Sequence, residues 1–355
     1  MLKDLLVIET AGVLAGPAVG TFLAELGARV VKIENPRVGG DVTRRWRLPE
    51  EDATSSVSAY FSSVNHGKEY LSLDLKTAEG RAEFDALLAK ADVLLTNHMA
   101  ADAEKLGLDR TRLRAINPTL IHGHIRGYAD DPSRPAFDVV LQAETGYLSM
   151  TGTDRDHLAK LPVAMIDILA AHQLKEGVLL ALLHRAKSGK GAYVEVALED
   201  AALTGLINQA TNWLMAGHVA KPLGTLHPNI APYGEVFMCA DGKRIVLAVG
   251  SNAQFFKLCD VLALADVKSA VDFAENPERV KNRERMAALL SPAIAGIPQQ
   301  ELLQRLQQAG VPAGAVNTID IALASPAAQR MTVEEMIEGV RTLRISGNAF
   351  RSEYF

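Results

Sequence analysis

One carboxylate, Asp167, stands alone in the apolar run Leu161-Pro-Val-Ala-Met-Ile-Asp-Ile-Leu-Ala-Ala171. A carboxylate in such surroundings is costly unless it is paired, caps a helix or does chemistry. Two readings follow. Asp167 is the N-cap of the apolar helix that comes after it, or it is a nucleophile that attacks an activated acyl carbon and forms a mixed anhydride. An anhydride needs a dry pocket, and Val163, Ala164, Met165 and Ile166 would supply one. Asp138, in Pro135-Ala-Phe-Asp-Val-Val-Leu-Gln142, is a second isolated acid ahead of an apolar run. It reads as a helix start, or as a charge that shifts the pKa of Asp167 if the two meet.

The remaining polar residues have plainer readings. His122 and His124 lie two apart in a strand pattern and share a face, but a metal site needs more ligands, and none is expected. Cys239 and Cys259 have no metal-ligand spacing and suggest a reduced, cytoplasmic setting. His184, Arg185, Lys187 and Lys190 gather at a helix C-terminus and read as a solvated end. Arg44, Arg45, Lys68, Lys76 and Lys105 follow strand patterns. Each alone reads as surface charge, while strands ending on one edge would let a phosphate-bearing ligand collect some of them. Gly12, Gly16 and Gly20 imitate a dinucleotide turn, but the G-x-G-x-x-G spacing is missing. NAD is therefore not expected, and close helix–sheet packing is the plainer account.

The elements that must position these residues alternate. Strands are predicted at 5–9, 29–34, 70–75, 91–96, 120–126 and 193–198, with helices at 17–26, 77–90 and 100–117 and a long one after Asp167. That order predicts an α/β fold with a parallel sheet. A Pro- and Gly-rich linker begins at Lys221. Beyond it a hairpin turns at Asp241-Gly242, with helices at 252–263, 277–294 and 298–309 and a strand-like segment from Gly310. The expected domains are 1–223 with 333–355, a smaller α+β unit over 224–317, and a return linker over 318–332.

Composition narrows the classes. A chain of 355 residues with 48% hydrophobic and 22% charged residues buries a real core. The net charge of −5, without a basic block, argues against nucleic acid as a partner. No apolar stretch is long enough to suggest a membrane span, and the first residues are too short and acidic for a signal peptide.

Taken in order, several segments resemble the class III CoA-transferases, the CaiB/BaiF family. They are Glu9-Thr-Ala-Gly-Val-Leu-Ala-Gly-Pro17, Leu23-Ala-Glu-Leu-Gly-Ala-Arg-Val-Val-Lys-Ile-Glu34, Gly40-Asp-Val-Thr-Arg44, Asn65-His-Gly-Lys68 and Leu71-Ser-Leu-Asp-Leu-Lys76. Lys105-Leu-Gly-Leu108, Asn117-Pro118, Phe137-Asp138 with Gln142-Ala143, Ser188-Gly-Lys-Gly191 and His227-Pro-Asn-Ile-Ala-Pro-Tyr233 continue the series.

The resemblance implies a Rossmann-like large domain, a smaller domain and an interlocked homodimer. It implies that CoA moves from an acyl-CoA to a small carboxylic acid by way of an aspartyl anhydride and an aspartyl-CoA thioester. The nucleophile falls on Asp167, and Asp138 matches an acid lining the site. CoA contacts fall on Leu14, Ala15, the segment from Leu73 to Lys76, Asn97, His98, Met99 and Lys105. A shielding loop falls on 250–254, from Gly250 to Gln254, where one glycine remains. Asn35, Glu69 and the Asn97-His-Met-Ala-Ala-Asp102 segment depart from the family pattern. Related racemases carry a His just before the acid matched by Asp138. Here that position is Phe137, so transfer is favoured over racemisation, and a non-catalytic CoA binder is the reading from another class.

Overall fold

The computed structural model describes residues 2–353, which fold as two compact units. The first unit takes residues up to Leu148, Lys160–Val219 and the residues from Pro326 onward. Its core is a six-stranded sheet of β1 (Leu6–Glu9), β2 (Arg29–Glu34), β3 (Lys68–Ser72), β4 (Val93–Thr96), β5 (Ile121–Arg126) and β6 (Ala192–Ala197). All five pairings are parallel, in the order β3-β2-β1-β4-β5-β6. β4 is a wholly buried run, Val-Leu-Leu-Thr, as expected of a strand covered on both faces. The strand order reverses between β1 and β4. In an open α/β sheet, ligands bind outside the strand C-termini at such a switch point.

The glycines at the first turn serve packing. A Cβ on Gly16 would lie 2.3 Å from the Ala11 Cβ, and one on Gly20 would lie 1.9 Å from Glu9 Oε2. The helix Ala15–Glu25 therefore presses directly onto β1 and the buried Glu9. Gly20→Ala should drive a methyl group into a buried carboxylate. We expect a loss of about 3 kcal/mol, read as a lower urea midpoint at unchanged m-value.

Several expected elements shift. The predicted helix over 100–117 is two helices, Ala100–Leu106 and Arg110–Ile116. Gly107 at φ +70 ends the first, and the Asp109 carboxylate caps the second. The predicted helix over 277–294 likewise breaks at Asn282. β3 begins at Lys68, two residues before the predicted start, because Lys68 and Glu69 already pair with Val30 and Val31 of β2. Arg44 and Lys68 are buried, and the surface reading of both is corrected. Arg185 binds Asp92 Oδ1 at 2.9 Å, so its helix end is not merely solvated.

The second unit takes Ser149–Ala159 and Ala220–Ser325. Its antiparallel sheet has the order β7 (Tyr233–Met238), β8 (Arg244–Ala248), β9 (Ala313–Ala315). Phe237, Leu247, Phe255, Leu290 and Leu306 help form its core. The Ser149–Ala159 segment joins this unit where the Gly224 amide donates to the Gly152 carbonyl at 2.7 Å. Residues 318–332, expected as a linker, contain the helices Ile319–Leu323 and Pro326–Met331. A hairpin of β10 (Thr332–Ile337) and β11 (Val340–Ile345) follows in the first unit.

Candidate active site

A cleft of about 820 Å³ opens at the C-terminal ends of β1, β4, β5 and β6, wholly within the first unit. Asp167 and Asp138 both line it. Asp167 is the third residue of the long helix Met165–Ser188, and it does not cap that helix. The cap comes from Asp138, whose Oδ2 accepts the Ile166 amide at 2.7 Å. Asp138 Oδ1 is held by the Gln142 carboxamide, one helical turn along, and Gln142 Oε1 accepts the Leu161 amide at 2.8 Å. The structural role considered for Asp167 thus belongs to Asp138.

No hydrogen bond or ion pair from the described residues reaches the Asp167 carboxylate. Burial pushes its pKa up to about 7, and the charge of Asp138 adds to the rise. These effects outweigh the helix N-terminus, which by itself favours an ionised acid. The outcome is a carboxylate that is basic for its type, free of donors and open to a cleft. It is equipped to attack an electrophilic carbon.

One wall of the cleft is the turn after β1. Gly12, Val13, Leu14 and Ala15 line it, and Asn97, just past the end of β4, clasps Gly12. The Gly12 amide donates to Asn97 Oδ1 at 3.0 Å, and Asn97 Nδ2 donates to the Gly12 carbonyl at 2.8 Å. Beneath the turn lies a buried charge cluster. Lys68 Nζ meets Glu9 Oε1 at 2.8 Å, and Lys32 Nζ reaches Glu9 Oε1 and Asp41 Oδ2, each at 3.1 Å.

The floor is polar and aromatic. Thr96 Oγ1 sits 2.8 Å from His122 Nε2 and 2.7 Å from His124 Nδ1. Burial pulls His122 down to about 3 and His124 to about 4, so both rings are neutral near pH 7. Tyr193 packs on these rings, and the Arg110 guanidinium lies 3.7 Å over the Tyr193 ring. The described histidines, cysteines and acids form no group of three able to hold a metal ion.

The other residues singled out from the sequence separate into two groups. Leu14, Ala15, Asn97, His98, Met99 and Phe137 line the cleft. Leu73, Lys76 and Lys105 do not. Leu73 is buried in a hydrophobic cluster with Ile33 and Phe84, Lys76 is exposed, and Lys105 reaches Asp102 Oδ1 at 3.2 Å on the surface. Gly250 and Gln254 lie in the second unit, where Gln254 Oε1 accepts the Gly250 amide at 2.9 Å and completes a capping box with Ser251.

Tyr60 went unnoticed in the sequence. Burial raises its phenol, and Asp167, Asp138 and Asp41 all add to the rise. It packs edge-on against Trp46 with ring centroids 5.1 Å apart. Its sequence signal was faint, an aromatic in a short helix after the serine-rich stretch at 55–58.

Known proteins resemble this chain over nearly its whole length. The family model described as CoA-transferase family III matches residues 2–354. A succinate–glutarate CoA-transferase from Agrobacterium fabrum is 36% identical, over 96% of this chain and 88% of that protein. An acetyl-CoA:oxalate CoA-transferase from Acetobacter aceti is 33% identical, over 97% of this chain and 88% of that protein. Among solved structures, a CaiB/BaiF family protein from Brucella suis superposes with a TM-score of 0.87 at 35% identity, covering 99% of this chain and 92% of that one.

Proposed function

We propose that this chain, which belongs to CoA-transferase family III and is a class III CoA-transferase, moves CoA between an acyl-CoA and a small carboxylic acid through covalent intermediates on Asp167. The observation that carries the mechanism is the donor-free Asp167 carboxylate, raised to about 7, inside the cleft.

The Asp167 oxygen attacks the donor thioester carbonyl. The C–S bond breaks, CoA leaves as thiolate, and a mixed anhydride remains. The thiolate then attacks the Asp167 carbonyl carbon, releasing the donor acid and leaving an aspartyl-CoA thioester. The acceptor carboxylate attacks that thioester, which gives a new anhydride and free thiolate. Attack of the thiolate on the acceptor's carbonyl yields the new acyl-CoA and restores the Asp167 carboxylate. Each intermediate is destroyed by water, so the buried setting of Asp167 also serves to exclude it, although Val163 of its apolar flank is exposed and residues 163–166 do not line the cleft.

The names of the relatives support a small dicarboxylic acid as the partner of this reaction. Arg110, which makes no ion pair among the described residues, provides a cation at the cleft for the far carboxylate. Phe137, in the position just before Asp138, offers no base for racemisation. Leu203, Ile207, Trp213, Leu214 and Met215 are exposed large apolar side chains, which supports an interlocked homodimer that covers them. No helix among the described residues is long and apolar enough to cross a membrane. We place the enzyme in the cytoplasm.

The test is a panel of acyl-CoA donors against small mono- and dicarboxylates, read by mass spectrometry. A new acyl-CoA should form with little free CoA when succinyl-CoA meets a dicarboxylate. Hydrolysis alone, or exchange of the α-hydrogen without a new thioester, would overturn the proposal.

A further inference from the structure

We propose that Asp41, backed by the buried ammonium of Lys32, is a positioning residue that holds Val13 in the left-handed conformation and so fixes the Gly12–Ala15 turn as the CoA-facing wall of the cleft. This inference rests on the transfer reading above. It concerns residues that touch neither the acyl group nor Asp167.

Val13 has φ +71. A β-branched residue seldom occupies that region, and it stays there only when its surroundings over-determine it. The constraint is visible. Asp41 Oδ2 accepts the Val13 amide at 3.1 Å and is itself 3.1 Å from Lys32 Nζ. Asp41 Oδ1 accepts the Thr43 amide at 3.0 Å and the Thr43 hydroxyl at 2.8 Å. The Asp41 backbone is held in turn, because its amide donates to Glu34 Oε1 at 2.7 Å, and Arg44 Nε binds that same oxygen at 2.8 Å.

Lys32 ties the turn at a second point. Its ammonium donates to the Ala11 carbonyl at 2.9 Å and to Glu9 Oε1 at 3.1 Å. One cation therefore grips the turn directly at Ala11 and, through Asp41, at Val13. With Lys68 on the far side of Glu9, two lysines balance two carboxylates within the core. Buried ion clusters of this kind often add little net stability compared with apolar packing, so a role in holding geometry is the informative alternative. The choice of valine points the same way. Glycine would accept φ +71 freely but would leave the turn many states, whereas a clamped valine leaves it one, and a preorganised wall binds its ligand with less ordering cost.

The experiment compares wild type, Asp41→Asn, Val13→Gly and the double variant. It measures CoA binding by calorimetry, KM and kcat for an acyl-CoA donor, and thermal unfolding. Asp41→Asn should weaken CoA binding and raise the acyl-CoA KM about tenfold, the scale of the left-handed penalty for an L-residue. Its kcat should change less than about threefold, since the interaction is made equally with bound substrate and transition state. Adding Val13→Gly should recover part of the loss, because glycine reaches the left-handed region without the clamp but leaves the turn less ordered than the clamped valine does. If Asp41→Asn does not fold, Thr43→Val, which removes one donor to Oδ1, should show the same KM-weighted loss and the same rescue.

The inference is overturned if Asp41→Asn leaves CoA affinity and KM at wild-type values. It is also overturned if activity falls only in step with unfolding and Val13→Gly restores nothing. Wild type that binds CoA but transfers nothing would instead overturn the transfer reading, while the calorimetric comparison would still decide the role of Asp41. Wild type that binds no CoA would overturn both.

Discussion

Asp167→Ala should lose CoA transfer by at least about a thousandfold while binding CoA with near-native affinity. Removing the nucleophile of a covalent mechanism removes both of its half-reactions, and losses of that size or larger are typical of such deletions. The neighbouring acid offers no substitute. Asp138 is committed through one oxygen to the Ile166 amide and through the other to Gln142. The covalent step has its own readout. Wild type incubated with an acyl-CoA and hydroxylamine should acquire a hydroxamate on Asp167, located by peptide mass spectrometry, and the alanine variant should acquire none. Persistence of turnover in that variant, or a hydroxamate on another acid, would remove Asp167 from the mechanism.

The second large effect is on stability, and its sign is opposite to intuition. Asp167 titrates at about 7 in the folded chain against an ordinary 3.8. Between about pH 4 and pH 7 the folded protein therefore binds the extra proton, so stability falls as pH rises through that window. At 1.36 kcal/mol per pH unit, the wild type should lose on the order of 3 kcal/mol between about pH 4.5 and pH 8 from this group. Asp167→Asn abolishes that loss. Urea unfolding should find the variant more stable than wild type by several kcal/mol at pH 8 and nearly equal to it at pH 4.5, with the usual exchange of stability for activity. A constant difference across that range would show that the burial of Asp167 carries no such cost. In the wild type, kcat/KM for the acyl-CoA should rise with pH through about 7 as the carboxylate ionises in the free enzyme.

The sequence made the alternating strands, the long helix and the isolation of Asp167 legible, because apolar periodicity and a lone acid in an apolar run are local signals. It also exposed the tight packing at Gly16 and Gly20 by their spacing. What it hid was long-range pairing. Lys68 reads as surface charge until β3 lies beside β2 and brings it onto Glu9, 59 residues earlier. The exchange of roles between Asp138 and Asp167 was hidden for the same reason, since a helix capped from 28 residues away leaves no local motif. Gly107 broke a predicted helix that periodicity alone would have continued.

The hydroxyl of Thr96, set between two neutral imidazoles, constrains where their hydrogens sit. It owns a single hydrogen, so it can donate to only one of the two rings. At least one imidazole must therefore spend its own N–H on Thr96 and keep its other nitrogen bare. Whichever tautomers prevail, at least one ring of the pair keeps a lone pair on the nitrogen turned away from Thr96, and handing that lone pair to the neighbouring ring takes a rotation of the hydroxyl together with a shift of the proton on each imidazole.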